Sequence, residues 1–157
     1  VYLVPAFVGL GAPYWQTKVR GATFGMTRST TEKHLARAAL EAIAYQSKDL
    51  LDCMESDLGG KCISLKVDGG ATANNFLMQF QADLLQTAIC VPRNPESTIL
   101  GAAMLAARHI GFWSEELMEE MTATGKKIEA QRDRSVQMDN YYRGWQKAVK
   151  AAIEFSK

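Results

Sequence analysis

The stretch Val67-Asp68-Gly69-Gly70-Ala71-Thr72-Ala73-Asn74-Asn75 limits the folds open to this chain more than any other. An apolar run, Ile63 to Val67, ends in Asp-Gly-Gly. A helical pattern follows from about Thr72 to Gln86, with Phe76, Leu77, Phe80, Leu84 and Leu85 on one face. A strand that turns so abruptly into a helix needs backbone angles that a Cβ would forbid, and glycine permits them. The same turn leaves peptide N–H groups without intrahelical acceptors, at the helix end where the dipole favours negative charge. Two readings stand: a tight β-to-α corner, or a cradle for a phosphate chain, with Asn74 in the first helical turn offering a donor and an acceptor to a base or ribose edge.

The surroundings read as alternating strands and helices. Val1 to Phe7 and Gly21 to Met26 are β-type runs, separated by a bend at Gly9-Leu10-Gly11-Ala12-Pro13. Ser29 with Glu32 has the form of a capping box and predicts a helix from near Thr30 to about Met54. Its expected buried stripe is Leu35, Ala38, Ala39, Ala42, Ile43, Gln46, Leu50 and Met54, in which Gln46 needs either hydrogen-bond partners or a role in a site. Ile89 to Val91 is a short strand stopped by Pro92. Thr98 opens a helix whose small residues, Gly101-Ala102-Ala103 and Ala106-Ala107, predict a close approach to a sheet.

From Ser114 to Asp139 the composition turns polar, which predicts a short helix and a surface connection. Asp139 is expected to cap a last helix with Tyr141, Trp145, Ala148, Val149 and Ala152 inward. The order β, β, α, β, α, β, α indicates a layered α/β architecture. With no linker or repeat, residues 1–157 read as one domain, on which 114–157 packs as a polar connection and terminal helix.

Eighteen Lys and Arg against seventeen Asp and Glu leave a net charge of +1, which excludes broad attraction to nucleic acid or an anionic membrane. No apolar run approaches the ~18 residues of a membrane span. Cys53, Cys62 and Cys90 are too widely spaced for a zinc set and read as reduced thiols of a cytoplasmic protein. His34 and His109 fall in helices without a ligand pattern, and Tyr14-Trp15 reads as a loop anchor on the core. A β-type run starting at Val1, with no initiator Met, is the expected signature of a chain that begins within a longer protein.

Val67 to Gln86, VDGGATANNFLMQFQADLLQ, resembles the adenine-nucleotide segment of glycerol kinases, within the carbohydrate kinase family of the actin-like ATPase fold. Four further segments agree in order: VPAFVGLGAPYW at 4–15, LEAIAYQ at 40–46, LGAAMLAA at 100–107 and GFW at 111–113. The resemblance implies a layered ribonuclease H-like domain, incomplete at its amino end, with a carboxy-terminal helical extension. It implies an enzyme that converts ATP and glycerol, with Mg²⁺, to ADP and glycerol 3-phosphate. The family's nucleotide-contacting glycine and asparagine fall on Gly70 and Asn74, with Gly69 and Ala71 forming the adjacent turn; Gly101 and Ala102 match its small-residue helix and are expected to pack.

The family's catalytic aspartate sits in an Asp-Gln motif upstream of Val1, together with the glycerol-binding residues and most of the Mg²⁺ site. The resemblance therefore implies that this chain holds no catalytic residue and no metal ligand, and is inactive alone; Asp68 matches the turn and not the base. The implied partners are an adenine nucleotide, glycerol through the missing part, and further copies of the parent enzyme. Residues 129–138 lack the Pro-Gly-Ile run at which regulated members receive a sugar-transport phosphocarrier. Two other readings remain: a fragment of a xylulose or gluconate kinase of the same family, or a non-catalytic interaction module.

Overall fold

The structure is a computed structural model and describes residues 1–94 and 96–157. Strands β1 (Tyr2–Val4) and β2 (Ala22–Phe24) form an antiparallel pair, with Leu3 opposite Thr23. Helix α1 (Glu32–Leu58) leads to β3 (Ser64–Lys66), a 3₁₀ turn at Gly70–Ala73, α2 (Asn75–Leu85) and β4 (Ala88–Pro92). Then come α3 (Ser97–His109), α4 (Glu115–Met121), β5 (Thr124–Ile128), a 3₁₀ turn at Arg132–Arg134 and α5 (Ser135–Phe155). β3 and β4 run parallel, with Leu65 opposite Ile89, and α2 is the crossover that parallel pairing requires. β5 adds antiparallel to β4, in the sheet order β3-β4-β5. Among the described residues no helix is long and apolar enough to cross a membrane.

The core forms where α1, α2 and α5 meet β1. Tyr45 of α1 is its centre: its ring stacks on Trp145 of α5 at 5.4 Å between centroids and meets Phe80 of α2 edge-on at 5.6 Å. Such pairs add about 0.5–1.5 kcal/mol beyond the area they bury.

Two carboxylates are buried on α1, one tying it to α5 and the other bonded within the helix. Asp49 accepts from the Tyr142 hydroxyl at 2.5 Å and from the Trp145 indole N–H at 2.9 Å, joining α1 to α5. Glu41 accepts from Arg37 Nε at 2.6 Å and from the Tyr45 hydroxyl at 3.2 Å. Among the described residues, no buried side-chain nitrogen or oxygen lacks a partner.

These ties correct the expected stripe of α1. Leu35, Ile43, Gln46, Leu50 and Met54 are exposed, and the buried face runs through Ala38, Glu41, Ala42, Tyr45 and Asp49. A polar residue does sit in the buried face, but Asp49 holds that place and not Gln46. The capping box also shifts by two residues, because Thr31 is the N-cap and its N–H donates to His34 Nδ1 at 3.1 Å. The Ser29 hydroxyl pairs with Thr27 instead. The helix continues past Met54 to Leu58 and stops at Gly59, whose φ of 66° ends it in the left-handed region.

Three expectations for the carboxy-terminal half are also corrected. The connection after α4 contains β5, whose Thr-Gly-Lys-Lys-Ile sequence lacks strand alternation and is held in place by pairing with β4. The last helix begins at Ser135, so Asp139 lies inside it and does not cap it. The small residues of α3 do not bring it close to a sheet: Ala107 alone is buried, and Ile99 and Leu105 are 68% and 72% exposed. Nearer the start of the chain, Tyr14 packs against the core while Trp15 is exposed, so one ring of the pair anchors the loop.

Replacing Asp49 by Ala leaves the Tyr142 hydroxyl and Trp145 N–H without their acceptor, and is expected to destabilise the chain by about 2–4 kcal/mol in urea unfolding; Tyr142→Phe, which removes one bond, is expected to cost about 1.5 kcal/mol.

Burial raises the phenol pKa of Tyr14, Tyr45 and Tyr142 above the ordinary 10.0, assisted at Tyr45 by Glu41 and at Tyr142 by its bond to Asp49. The folded chain then holds these protons more tightly than the unfolded one. This contribution is complete below pH 10 and shrinks as pH rises beyond it. Alkaline titration at 295 nm is expected to show these tyrosinates appearing together with loss of the near-ultraviolet dichroism, not before it.

Candidate functional site

The site is built where β3 gives way to α2. The Val67 N–H makes the last link of this strand to β4, donating to the Cys90 carbonyl at 3.0 Å. Gly69 then adopts φ 87° and ψ 171°, a region that residues with a Cβ rarely enter. Thr72 closes the 3₁₀ turn twice, its N–H at 3.0 Å and its hydroxyl at 2.7 Å both donating to the Gly69 carbonyl.

At Asn74 the chain leaves helical geometry, with φ −82° and ψ 101°, and its Oδ1 accepts from the Leu77 N–H at 3.0 Å. The expected helix from Thr72 to Gln86 is therefore two pieces. An asparagine side chain competes for the backbone, ending the 3₁₀ turn and capping α2, so Asn74 stands before the first helical turn and not within it.

Gly69, Gly70, Ala71 and Asn74 are thus brought onto one turn. The N–H groups of Gly70 and Ala71 head it with no acceptor inside it. A Cβ on Gly69 or Gly70 would stand in open space, so the backbone at both is approachable from outside. Asn74 has committed its carbonyl oxygen to the cap, which leaves its NH₂ as the group available to a ligand. Lys126 of β5 adds a positive charge beside this turn, its ammonium donating to Asn75 Oδ1 at 2.7 Å.

Next to the turn, beyond the ends of β3 and β4, lies a cavity of about 380 Å³. It is lined by Asp68 and Cys90, by Leu100, Gly101 and Met104 of α3, and by Met121, Thr122 and Thr124, while Gly69, Gly70, Ala71 and Asn74 are not among its lining residues. Crevices at the carboxyl ends of parallel strands are where open α/β sheets bind ligands. Gly101, expected to pack, borders this cavity with no neighbour in the place of its missing Cβ, and Ala102 is exposed. Local pattern gave no sign of Lys126, because the strand that carries it is set by pairing with β4.

Residues 1–110 match the carboxy-terminal domain of the FGGY family of carbohydrate kinases. A glycerol kinase of Francisella tularensis subsp. holarctica (strain FTNF002-00 / FTA) is 53% identical over 150 residues, 95% of this chain and 30% of that protein. The glycerol kinase of Bacillus subtilis (strain 168) is 51% identical over 157 residues, 99% of this chain and 31% of that protein. The crystal structure of Plasmodium falciparum glycerol kinase with ADP has a TM-score of 0.82 and 34% identity, covering 96% of this chain and 30% of that one. The chain spans less than a third of the length of these relatives. Its layers are those of the ribonuclease H-like, actin-like ATPase fold.

Asn74→Ala removes the cap and is expected to cost about 1 kcal/mol of stability, whereas Asn74→Asp keeps an acceptor for the Leu77 N–H and is expected to cost a few tenths. Urea unfolding of the two variants against the unaltered chain checks this.

Proposed function

This chain belongs to the FGGY family of carbohydrate kinases, and on that premise we propose that it supplies one wall of the ATP site of a glycerol kinase. The phosphate chain rests against the N–H groups of Gly70 and Ala71. Gly69 and Gly70 let it approach the backbone, and the Asn74 NH₂ meets the ribose or base edge. The cavity beside Asp68, with Leu100, Met104 and Met121 on its walls, offers apolar volume to the base. The observation that carries this reading is the turn itself, with Gly69 at positive φ, two peptide donors without backbone acceptors and open space beside Gly69 and Gly70.

Transfer of the γ-phosphoryl group to a glycerol hydroxyl forms one P–O bond and breaks another in line, yielding ADP and glycerol 3-phosphate. Such a reaction depends on positioning and charge stabilisation. The residues here hold and orient the nucleotide. The base that takes the hydroxyl proton belongs, in this reading, to the Asp-Gln segment of a longer chain. Mg²⁺, which would neutralise charge on the phosphates, is in this reading held mainly by that segment too. The parent enzyme is proposed to be a cytoplasmic homo-oligomer. Glycerol is preferred to xylulose or gluconate as acceptor because the GLGAPYW run at 9–15 resembles glycerol kinases in particular.

Calorimetric titration with ADP is expected to show weak, saturable binding that Gly70→Val reduces at least tenfold, and a coupled assay with ATP and glycerol is expected to show no turnover by this chain alone. An unaltered chain that binds no ADP, or a Gly70→Val chain that binds as well, would leave the interaction-module reading in place.

A further inference from the structure

Three side chains of α2, Asn75, Gln79 and Asp83, recur every four residues and lie along one face of the helix. Each is bonded to the segment that leads from β5 into α5, 48 to 51 residues further along the chain. At the first residue of the helix, Lys126 Nζ donates to Asn75 Oδ1 at 2.7 Å. One turn on, Gln79 Nε2 donates to the Glu129 carbonyl at 3.0 Å and to Asp83 Oδ1 at 2.8 Å. A further turn on, the wholly buried Asp83 accepts from the Gln131 N–H at 2.9 Å and from Arg134 Nη1 at 2.6 Å.

These bonds form a seam parallel to the axis of α2. A slide of one residue moves the helix by about 1.5 Å, enough to break every bond of the seam together. The seam ends beside Asn74 and the turn that precedes it. Lys126 is its last member, and its placement is otherwise unfavourable, because a cation at the first residue of a helix opposes the macrodipole. Among the described residues Lys126 has no carboxylate partner that would explain its position.

We propose that this seam fixes α2 at the axial position in which Asn74 and the Gly69–Ala71 turn meet the nucleotide, and that Lys126 is a positioning residue for that site through its bond to Asn75. The inference rests on the nucleotide reading above. The bond holds the first residue of α2 against the edge of the sheet, so the cap and the turn before it do not drift with the helix end. Asp83 anchors the far end of the same face, so the helix is located at both ends by one contiguous segment.

ADP titrations of the 157-residue chain, its Lys126→Met and Asn75→Ala variants and the double variant test this, with Lys126→Arg as a restoring change. Each single variant is expected to raise the ADP Kd about fivefold, with the double variant no weaker than either single, as two partners of one bond require. Lys126→Arg is expected to stay within about twofold of the unaltered chain. Melting temperatures within a few degrees of the unaltered chain are expected for Lys126→Met, since its side chain is exposed.

An unaltered chain that binds ADP while Lys126→Met binds equally well overturns the inference and leaves the nucleotide reading standing. A Lys126→Met change that weakens binding just as much in the Asn75→Ala background also overturns it, because the lysine then acts on the phosphates directly. An unaltered chain that binds no ADP overturns both.

Discussion

For β3 to pass directly into the 3₁₀ turn and α2, Gly69 must hold a positive φ, and the candidate site follows from that constraint. The carbonyl of Gly69 is fixed by two bonds from Thr72, and the next two peptide N–H groups have no backbone acceptor. Asn74 then ends the turn and starts the helix with its own side chain. In the proposed reading, four residues with no unusual chemistry make a corner that accepts an anion, and its chemistry resides in the backbone.

A corner of this kind is useful only if the elements that frame it do not move. Buried carboxylates do much of that holding. Asp49 connects α1 to α5 through a phenol and an indole, and Asp83 connects α2 to the segment before α5 through a peptide N–H and a guanidinium. A buried charge without partners costs several kcal/mol, so each carboxylate is stable only when its distant donors are in place. That makes the packing of α5 a condition for the geometry of α2, even though the two helices are far apart in sequence.

What could be read from the sequence divides along the same line. The glycines, the apolar strand before them and the periodic helix after them are local signals, and the position of the turn was legible from them. The partners of Asp49 were not: Tyr142 and Trp145 lie more than ninety residues from it, and no local pattern tells which face of α1 will meet them. Counting apolar residues alone therefore rotated the buried face of α1 toward Leu35, Ile43 and Leu50. β5 was invisible for a related reason, since Thr-Gly-Lys-Lys-Ile becomes a strand by pairing with β4 and not by its own propensity. Asn74 was singled out by resemblance, while its role as a cap emerged from the geometry.

The central claim is that the peptide donors at Gly70 and Ala71 receive the phosphates of an adenine nucleotide. Amide nitrogen and proton shifts of the isotope-labelled chain, recorded with ADP and separately with adenosine, test it most directly. The account predicts that ADP moves the Gly70 and Ala71 amide resonances strongly and that adenosine, lacking phosphates, leaves them nearly in place. Equal shifts with both ligands, or ADP-induced shifts confined to other parts of the chain, would contradict it.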